Sequence, residues 1–138
     1  MRRTRSTKAM RDTLLLIGRI LLVVIFIASG LGKLANLSGT AAYIASQGLP
    51  LPSVLAPLVG IVELGLGLAV AIGFQTRVAA WLLALFSLLT ILFVHHYWNM
   101  TGDARALNEI QAMKNLAMIG GFIILAGVGP GRFSVDRN

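Results

Sequence analysis

Four apolar stretches dominate the sequence, and each is long enough to cross a lipid bilayer as a helix. They lie at about residues 13–35, 52–74, 78–98 and 109–128. A helix needs about 20 apolar residues to cross a hydrocarbon core of about 30 Å. Because a spanning segment must satisfy its backbone hydrogen bonds internally, this pattern predicts an all-α fold, a polytopic membrane four-helix bundle.

The composition agrees with a membrane protein and excludes several classes of site. The chain is 57% hydrophobic and only 12% charged, with a mean hydropathy of +0.82, whereas soluble domains average about 25% charged residues. The absence of cysteine excludes disulfides, thiolate metal sites and cysteine-ligated iron–sulfur clusters within this chain. No cluster of His, Asp and Glu has the spacing of a metal shell, so we expect no metal site.

The basic residues predict how the helices are oriented. They lie before the first span, between the second and third spans, and after the fourth: Arg2, Arg3, Arg5, Lys8, Arg11, Arg77, Arg132 and Arg137. Short loops rich in Lys and Arg stay on the cytoplasmic side. We therefore expect both termini inside (N-in/C-in). The net charge of +7 has the same origin, and no basic face with aromatic residues indicates binding to nucleic acid.

The expected organisation is one membrane domain between two short cytoplasmic tails. The basic tail covers residues 1–12, the domain residues 13–128 and the C-terminal tail residues 129–138. The first apolar run is longer than the core of a signal peptide and has no convincing small-x-small cleavage site, so we expect it to remain as a helix. In the C-terminal tail, Gly129 and Pro130 predict a helix stop, with Arg132 at the lipid headgroups.

One carboxylate lies where water cannot solvate it. Glu63, in the segment "GIVELGLG", falls near the middle of the second span, where an ionised side chain costs about 2.5–3.5 kcal/mol. It is expected to face other helices and either to be protonated or to pair with a cation. Arg19 and Lys33 are the candidate partners, because their separation of almost four turns places them on one face of the first helix.

A second polar group is expected toward the outer end of the bundle. His95, His96, Lys114 and Asn115 fall there together with Lys33. Adjacent residues on a helix point about 100° apart, so at most one histidine faces a shared interior site, and the sequence does not show which. Three potential cations (Lys33, Lys114 and one histidine) near one carboxylate, that of Glu109, would suit an anionic or polarisable ligand, and would equally suit lipid phosphates.

Three segments in order resemble the DoxX family of small bacterial inner-membrane proteins. They are "GRILLVVIFIASGLGKL", "LVGIVELGLGLAVAIGFQTRVAA" and "GPGRFSVD", and the resemblance covers roughly residues 13–136. It includes Arg19, the Ser29-Gly30-x-x-Lys33 element, Glu63 followed by Gly67, Gly73 before Arg77, a histidine late in the third span, and the closing Gly-Pro-Gly-Arg.

The resemblance implies a bacterial inner-membrane protein linked to quinone-dependent oxidoreductases. On that basis the expected function is a membrane subunit that binds a quinone or a similar lipophilic ligand. Glu63 would handle protons, and the ligand-binding residues would be Arg19, Lys33, His95, His96, Lys114 and Asn115. The resemblance leaves the cofactor open, with a quinone as the candidate, and electrons would come from a partner redox protein.

Two other functions remain open at this level. The first is the binding or transport of a small anionic or lipophilic solute, because the nearby cations argue against a cationic one. The second is a structural role, in which the buried polar groups hold helix register and the bundle anchors partner proteins. Small residues such as Gly and Ala on the helix surfaces would also permit a homo-oligomer.

Overall fold

The protein is built from helices, and no strand occurs in the part of the chain that the structure describes. The computed structural model describes residues 2–137, with side chains from residue 4 onward. Its helices are α1 (Arg2–Ala35), α2 (Leu37–Ser46), α3 (Pro52–Ile72), α4 (Thr76–Phe93) and α5 (Gly102–Val128), with a short 3-10 turn at Tyr97–Asn99. Four of them, α1, α3, α4 and α5, are long and apolar enough to span a membrane. The all-α four-span prediction is confirmed.

The helix boundaries differ from the predicted ones by more than two residues at three places. Helix α1 begins at Arg2, so the basic residues continue the first span instead of forming a separate irregular tail. Helix α4 ends at Phe93, because the N–H groups of Val94 and His95 both donate to the carbonyl of Thr90 and close the last turn. Helix α5 begins at Gly102, well before the predicted start.

The uncharged first loop contains a helix that the hydropathy pattern did not reveal. Helix α2 starts after Asn36, whose side chain accepts a hydrogen bond of 3.1 Å from the N–H of Gly39. Asparagine is a preferred residue at this position because it satisfies an otherwise unpaired helical N–H. At ten residues, α2 is too short to span a bilayer, and it packs mainly on α3.

The bundle consists of two tightly packed helix pairs, α1 with α3 and α4 with α5. Glycine allows the first pair to approach closely. A Cβ atom on Gly30 would lie 2.7 Å from the backbone nitrogen of Leu64, and one on Gly60 would lie 2.9 Å from Leu34. Small residues at contacts let membrane helices approach in this way. Not every helical glycine lies at such a contact, because a Cβ on Gly32 or Gly65 would meet no atom within 4 Å.

The two pairs meet around a small apolar core. Phe26 of α1 lies edge-to-face with Phe86 of α4 and with Phe122 of α5, at ring centroid distances of 6.4 and 5.5 Å. Val70 of α3 and Leu83 of α4 are fully buried beside them. The outer faces carry large exposed apolar side chains, as a lipid-facing surface requires, and examples are Leu21, Leu31, Ile61, Leu85 and Ile124.

The C-terminal segment closes one end of the bundle, which we call the termini end. Gly129, at φ +82°, ends α5, and the chain then runs back along the α3–α4 turn. The N–H groups of Val135 and Asp136 donate to the carbonyls of Ile72 and Gly73 at 3.0 and 2.9 Å. The predicted helix stop is therefore present, and it continues into a segment bonded to the rest of the bundle.

Asp136 caps helix α4 from a distance of sixty residues in the chain. Its carboxylate accepts from the N–H groups of Gln75 and Thr76 at 2.9 Å and from the Thr76 hydroxyl at 2.8 Å. Burial by itself raises the pKa of Asp136. The hydrogen bonds from Thr76 and Gln75 and the charge of Arg19 together outweigh burial and hold that pKa below its usual value.

Candidate functional site

A polar cavity of about 120 Å³ lies between α1, α3, α4 and α5, toward the end of the bundle opposite the termini. We call this end the far end. The residues lining the cavity are Ile25, Phe26, Ser29, Lys33, Glu63, Phe86, Ser87, Thr90, His95, Lys114, Asn115 and Met118. Each of the four spanning helices contributes at least one of them, and His95 comes from the segment that follows α4. A cavity with this many polar groups is unusual inside a membrane bundle, where polar side chains are costly unless they have a role.

An ion pair between α1 and α3 forms one wall of the cavity. The Lys33 ammonium lies 3.0 and 3.1 Å from the two carboxylate oxygens of Glu63 and donates to the Ser29 hydroxyl at 2.6 Å. Glu63 is only 6% exposed, whereas 29% of the Lys33 side chain remains accessible. The sequence analysis named Lys33 as one of two candidate partners of Glu63, and the structure pairs these two residues.

Arg19 does not pair with Glu63, and that prediction was wrong. Its guanidinium lies at the termini end, where it donates to the carbonyls of Pro130, Ala71 and Phe133, the last two at 3.3 and 2.7 Å. The residue is 2% exposed and does not line the cavity. The prediction failed because residues fourteen positions apart on a helix share a face but lie about 21 Å apart along its axis.

The two histidines occupy different environments. His95 lines the cavity and His96 does not. The Nδ1 atom of His96 lies 2.7 Å from the Asn99 amide oxygen, and its ring stacks edge-on against Trp98. Both histidines follow the end of α4 instead of lying on it, so the prediction that helical geometry separates them does not apply. The chain turn after Val94 separates them instead.

Hydrogen bonding assigns the proton on neutral His95 to Nδ1. That atom lies 2.9 Å from the amide oxygen of Asn108. The amide nitrogen of Asn108 donates to the carbonyl of Ala104 at 2.9 Å, which orients the oxygen toward the imidazole. Because an amide oxygen only accepts, Nδ1 must be the donor. The other nitrogen, Nε2, is then an acceptor that can take up a proton.

Lys114 and Asn115 both line the cavity from α5. Lys114 is exposed at the rim, where its ammonium donates to the Gln111 side-chain oxygen. Asn115 is 6% exposed, so its amide belongs to the interior. The structure thus brings Lys33, Glu63, His95, Lys114 and Asn115 together, and leaves Arg19 and His96 elsewhere.

The sequence analysis missed three hydroxyl groups in the lining, those of Ser29, Ser87 and Thr90. Thr90 donates to the carbonyl of Phe86 at 2.9 Å, as helical hydroxyls often do. The Ser87 hydroxyl is fully buried and has no partner among the described residues. A buried polar atom without a partner needs an explanation, and here it faces the cavity. Helical spacing could have indicated these hydroxyl groups in the sequence, because Ser29 lies one turn before Lys33 and Ser87 lies almost one turn before Thr90.

A second depression adjoins the cavity on the outer surface of the bundle. This groove of about 500 Å³ runs between α3 and α4, and we call it the lateral groove. It is lined only by apolar residues and one glycine: Ile61, Val62, Gly65, Leu66, Leu82, Leu85, Phe86 and Leu89. Phe86 lines both the lateral groove and the polar cavity.

Across residues 2–137, no group of three or more His, Asp or Glu side chains is arranged to hold a metal ion. The polar groups that the site offers are an ion pair, an imidazole, and hydroxyl and amide groups.

Comparison with known sequences identifies the family. The sequence profile of DoxX matches residues 14–96, which include α1 from residue 14 onward and all of α2, α3 and α4. The chain belongs to the DoxX family. Two relatives from Escherichia coli K12 extend the likeness over nearly the whole chain. The DoxX-family assignment made from the three segments is confirmed.

Both bacterial relatives carry names that place them in the inner membrane. The chain is 43% identical to inner membrane protein YphA over 94% of its length and 92% of the relative. It is 40% identical to inner membrane protein YqjF over 94% and 95%. It also matches the ER-derived vesicles protein ERV29 of Saccharomyces cerevisiae at 27% identity, over 97% of this chain and 36% of that protein. No solved structure matches the sequence.

Proposed function

We propose that this DoxX-family protein is the membrane subunit of an oxidoreductase system and binds a quinone headgroup in the polar cavity. The observation that carries the proposal is the set of groups around one small space. A carboxylate–ammonium pair, an imidazole with an accepting nitrogen and an unpartnered buried hydroxyl all line it. Intramembrane ionisable groups commonly mark pathways for protons or substrates.

The residues present fit a quinone. A quinone ring is flat and apolar on its faces and carries two carbonyl oxygens that accept hydrogen bonds. The cavity supplies two phenyl rings, Phe26 and Phe86, as well as donors in Ser87, Asn115 and Lys33. The unpartnered hydroxyl of Ser87 is the clearest sign of fit, because a buried donor gains a hydrogen bond that it otherwise lacks.

In the proposed chemistry, two residues donate and accept the protons. Reduction of a quinone to a quinol takes up two electrons and two protons, and the electrons come from a partner redox protein. His95 holds one transferable proton at Nε2 when its ring is charged, while Asn108 keeps the other proton on Nδ1. Glu63 is the second proton-handling group, and its carboxylate oxygens accept hydrogen bonds from the Lys33 ammonium at 3.0 and 3.1 Å.

The proposed orientation places both termini in the cytoplasm of a bacterial cell. It is supported by the basic residues at the termini end, where Lys8, Arg11, Arg77 and Arg132 all lie, and by the inner-membrane relatives. The cavity then lies in the half of the bilayer away from the cytoplasm.

The test is a titration with a benzoquinone that carries no tail, using purified protein in lipid nanodiscs. We expect saturable binding by the wild-type protein and about tenfold weaker binding by Ser87→Ala and by Lys33→Met, since each variant removes a donor to a quinone carbonyl and a lost hydrogen bond to ligand is worth about 1–1.5 kcal/mol. Arg19→Lys is the matched control, because Arg19 is buried and cationic but lies outside the cavity. Its affinity should equal that of the wild type.

A second measurement separates binding from folding. Breaking one side of a buried ion pair is costly, whereas replacing both sides with apolar residues is often neutral. The double variant Lys33→Met/Glu63→Leu should therefore recover the unfolding temperature that Lys33→Met loses, but it should not recover binding. Absence of saturable binding by the wild type, or equal affinity in all variants, contradicts the proposal.

A structural role is the second candidate, and one observation favours it. The Lys33 ammonium contacts both oxygens of Glu63 and the hydroxyl of Ser29, so it ties α1 to α3 at a single register. On this reading Lys33→Met lowers the unfolding temperature, the double variant restores it, and no quinone binds to any form.

A further inference from the structure

We infer that the ligand of the polar cavity has a long apolar tail, and that this tail lies in the lateral groove between α3 and α4. The inference rests on the proposed function and deepens it, because it names the ligand class as an amphipathic molecule with a compact polar head and a linear hydrocarbon chain. It also assigns a role to a groove that the proposed chemistry does not use.

The sizes of the two spaces are complementary. Binding sites for small molecules commonly measure about 300–1,000 Å³. The polar cavity, at about 120 Å³, is too small to enclose a whole ligand of that kind. The lateral groove, at about 500 Å³, is large enough but has no polar side chain to orient one. Either space alone makes an incomplete site, whereas the two together hold a head and a tail.

The two spaces meet at one side chain. Phe86 lines both, and its ring packs edge-to-face against Phe26, which lies on the cavity side. The Phe86 ring is therefore part of the wall between the polar and apolar regions. A ligand with its head at the Ser87 hydroxyl therefore has to extend past the Phe86 ring for its tail to reach the leucines of α4.

The depths of the two spaces agree with an amphipathic ligand in a bilayer. The groove residues lie in the middle of their helices, for example Leu66 of α3 and Leu85 of α4. The cavity extends from Glu63 toward the far end, where His95 and Lys114 lie. The head thus sits closer to the membrane surface than the tail does, and a ligand can reach the site sideways from the lipid without crossing water.

The surroundings of Gly65 indicate that a small residue keeps the lateral groove open. On α3, Gly60 and Gly67 make close contacts with α1, and a Cβ on either would crowd a neighbouring side chain. A Cβ on Gly65 would meet no atom within 4 Å. Glycine within a helix is less favourable than alanine, and at Gly65 no helix contact offsets that cost. The small residue instead leaves space in the groove.

The test compares two quinones on three proteins in nanodiscs of one lipid composition. The probes are a benzoquinone without a tail and the same ring with a ten-carbon alkyl tail. The proteins are the wild type, Gly65→Leu, and Gly120→Leu as the matched control. Gly120 is also a helical glycine with open space around it, but it lies on α5 and lines neither space. Comparing variants in the same lipid cancels the partitioning of the tail.

We expect Gly65→Leu to weaken binding of the tailed quinone about tenfold while the affinity for the tail-free quinone stays at the wild-type value. Gly120→Leu should change neither. If Gly65→Leu does not fold, the pair Leu85→Trp and Leu88→Trp repeats the comparison. Both residues are exposed on α4, but only Leu85 lines the groove.

The other outcomes overturn the inference and separate it from the proposed function. If both quinones bind and the groove-filling variants leave the tailed one unaffected, the groove holds ordinary lipid and the headgroup proposal still stands. If a groove variant weakens both quinones equally, the substitution acts through the cavity and not through the tail. If neither quinone binds the wild type, the inference and the proposed function fail together.

Discussion

Lys33 and Arg19 lie on one face of α1, yet they contact partners of different kinds at different depths of the bundle. Lys33 meets the carboxylate of Glu63 in the cavity, where its flexible stem lets a compact charge reach both oxygens. Arg19 meets three backbone carbonyls at the termini end, and the planar guanidinium suits several acceptors at once. Each residue type therefore matches the geometry of its partners, and exchanging the two would satisfy neither site.

Asp136 provides a pH-dependent test at the scale of one residue. Because the pKa of Asp136 is lowered in the folded protein, its contribution to stability is fully present above the unfolded value of 3.8 and is lost as the pH falls through the lower folded pKa. Asp136→Ala should reduce the free energy of unfolding by about 1–2 kcal/mol near pH 7, the usual effect of removing a helix cap.

The measurement is unfolding by SDS in mixed micelles at several pH values. The stability difference between the wild type and Asp136→Ala should shrink toward zero as the pH is lowered below the folded pKa. A difference that stays constant over the whole range would mean that the carboxylate charge does not matter at this cap.

At the scale of helices, glycine position decides which faces pack. Gly30 and Gly32 are two residues apart on α1 and therefore point in different directions. A Cβ on Gly30 would approach the Leu64 nitrogen and the Gly60 oxygen to within 2.7 and 2.9 Å, whereas a Cβ on Gly32 meets nothing within 4 Å. Both atoms near Gly30 belong to the α3 backbone, so relief there requires the helices to move apart.

Gly30→Ala should therefore destabilise the protein by about 1–3 kcal/mol, the usual range for overpacking. Gly32→Ala is the control, and it should be neutral or stabilising by up to about 1 kcal/mol, because alanine is the better helix former. Thermal unfolding of the two variants in the same detergent checks this pair. Equal loss of stability in both would show that the α1–α3 contact does not depend on close backbone approach.

At the scale of the whole molecule, the two ends of the bundle differ in how they are packed and hydrogen-bonded. At the termini end, backbone groups, Arg19 and Asp136 tie the C-terminal segment to α1, α3 and α4, and Arg77 bonds carbonyls in the last turn of α5. At the far end the helices leave a cavity between them. A bundle held firmly at one end can keep a binding space at the other.

The orientation of this molecule can be tested simply because the chain has no cysteine. The substitution Ser46→Cys places a single cysteine at the far end, on the last residue of α2, and Arg137→Cys places one at the termini end. A membrane-impermeant maleimide added to intact spheroplasts should label the first and should reach the second only after the membrane is permeabilised. The reverse pattern would contradict the proposed N-in/C-in orientation, and the cysteine-free parent is the control.

The sequence by itself determined the number of spans, the all-α fold and the burial of Glu63. Each of these depends on how a local stretch partitions between water and lipid, which hydropathy and length express directly. It did not reveal α2, whose formation depends on a cap at Asn36 and on packing against α3, or the helical form of the basic residues in the first turns of α1.

Only the tertiary structure decided which groups meet. Glu63 pairs with Lys33 and not with Arg19, and His95 lines the cavity whereas His96 does not. These outcomes, and the position of the Ser87 hydroxyl in the cavity, depend on the rotation and depth of one helix against another. Those are set by contacts such as that of Gly30 with the α3 backbone and by the chain turn after α4. The physical reason is that contacts between side chains depend on the distances between separate helices, whereas hydropathy describes one helix at a time.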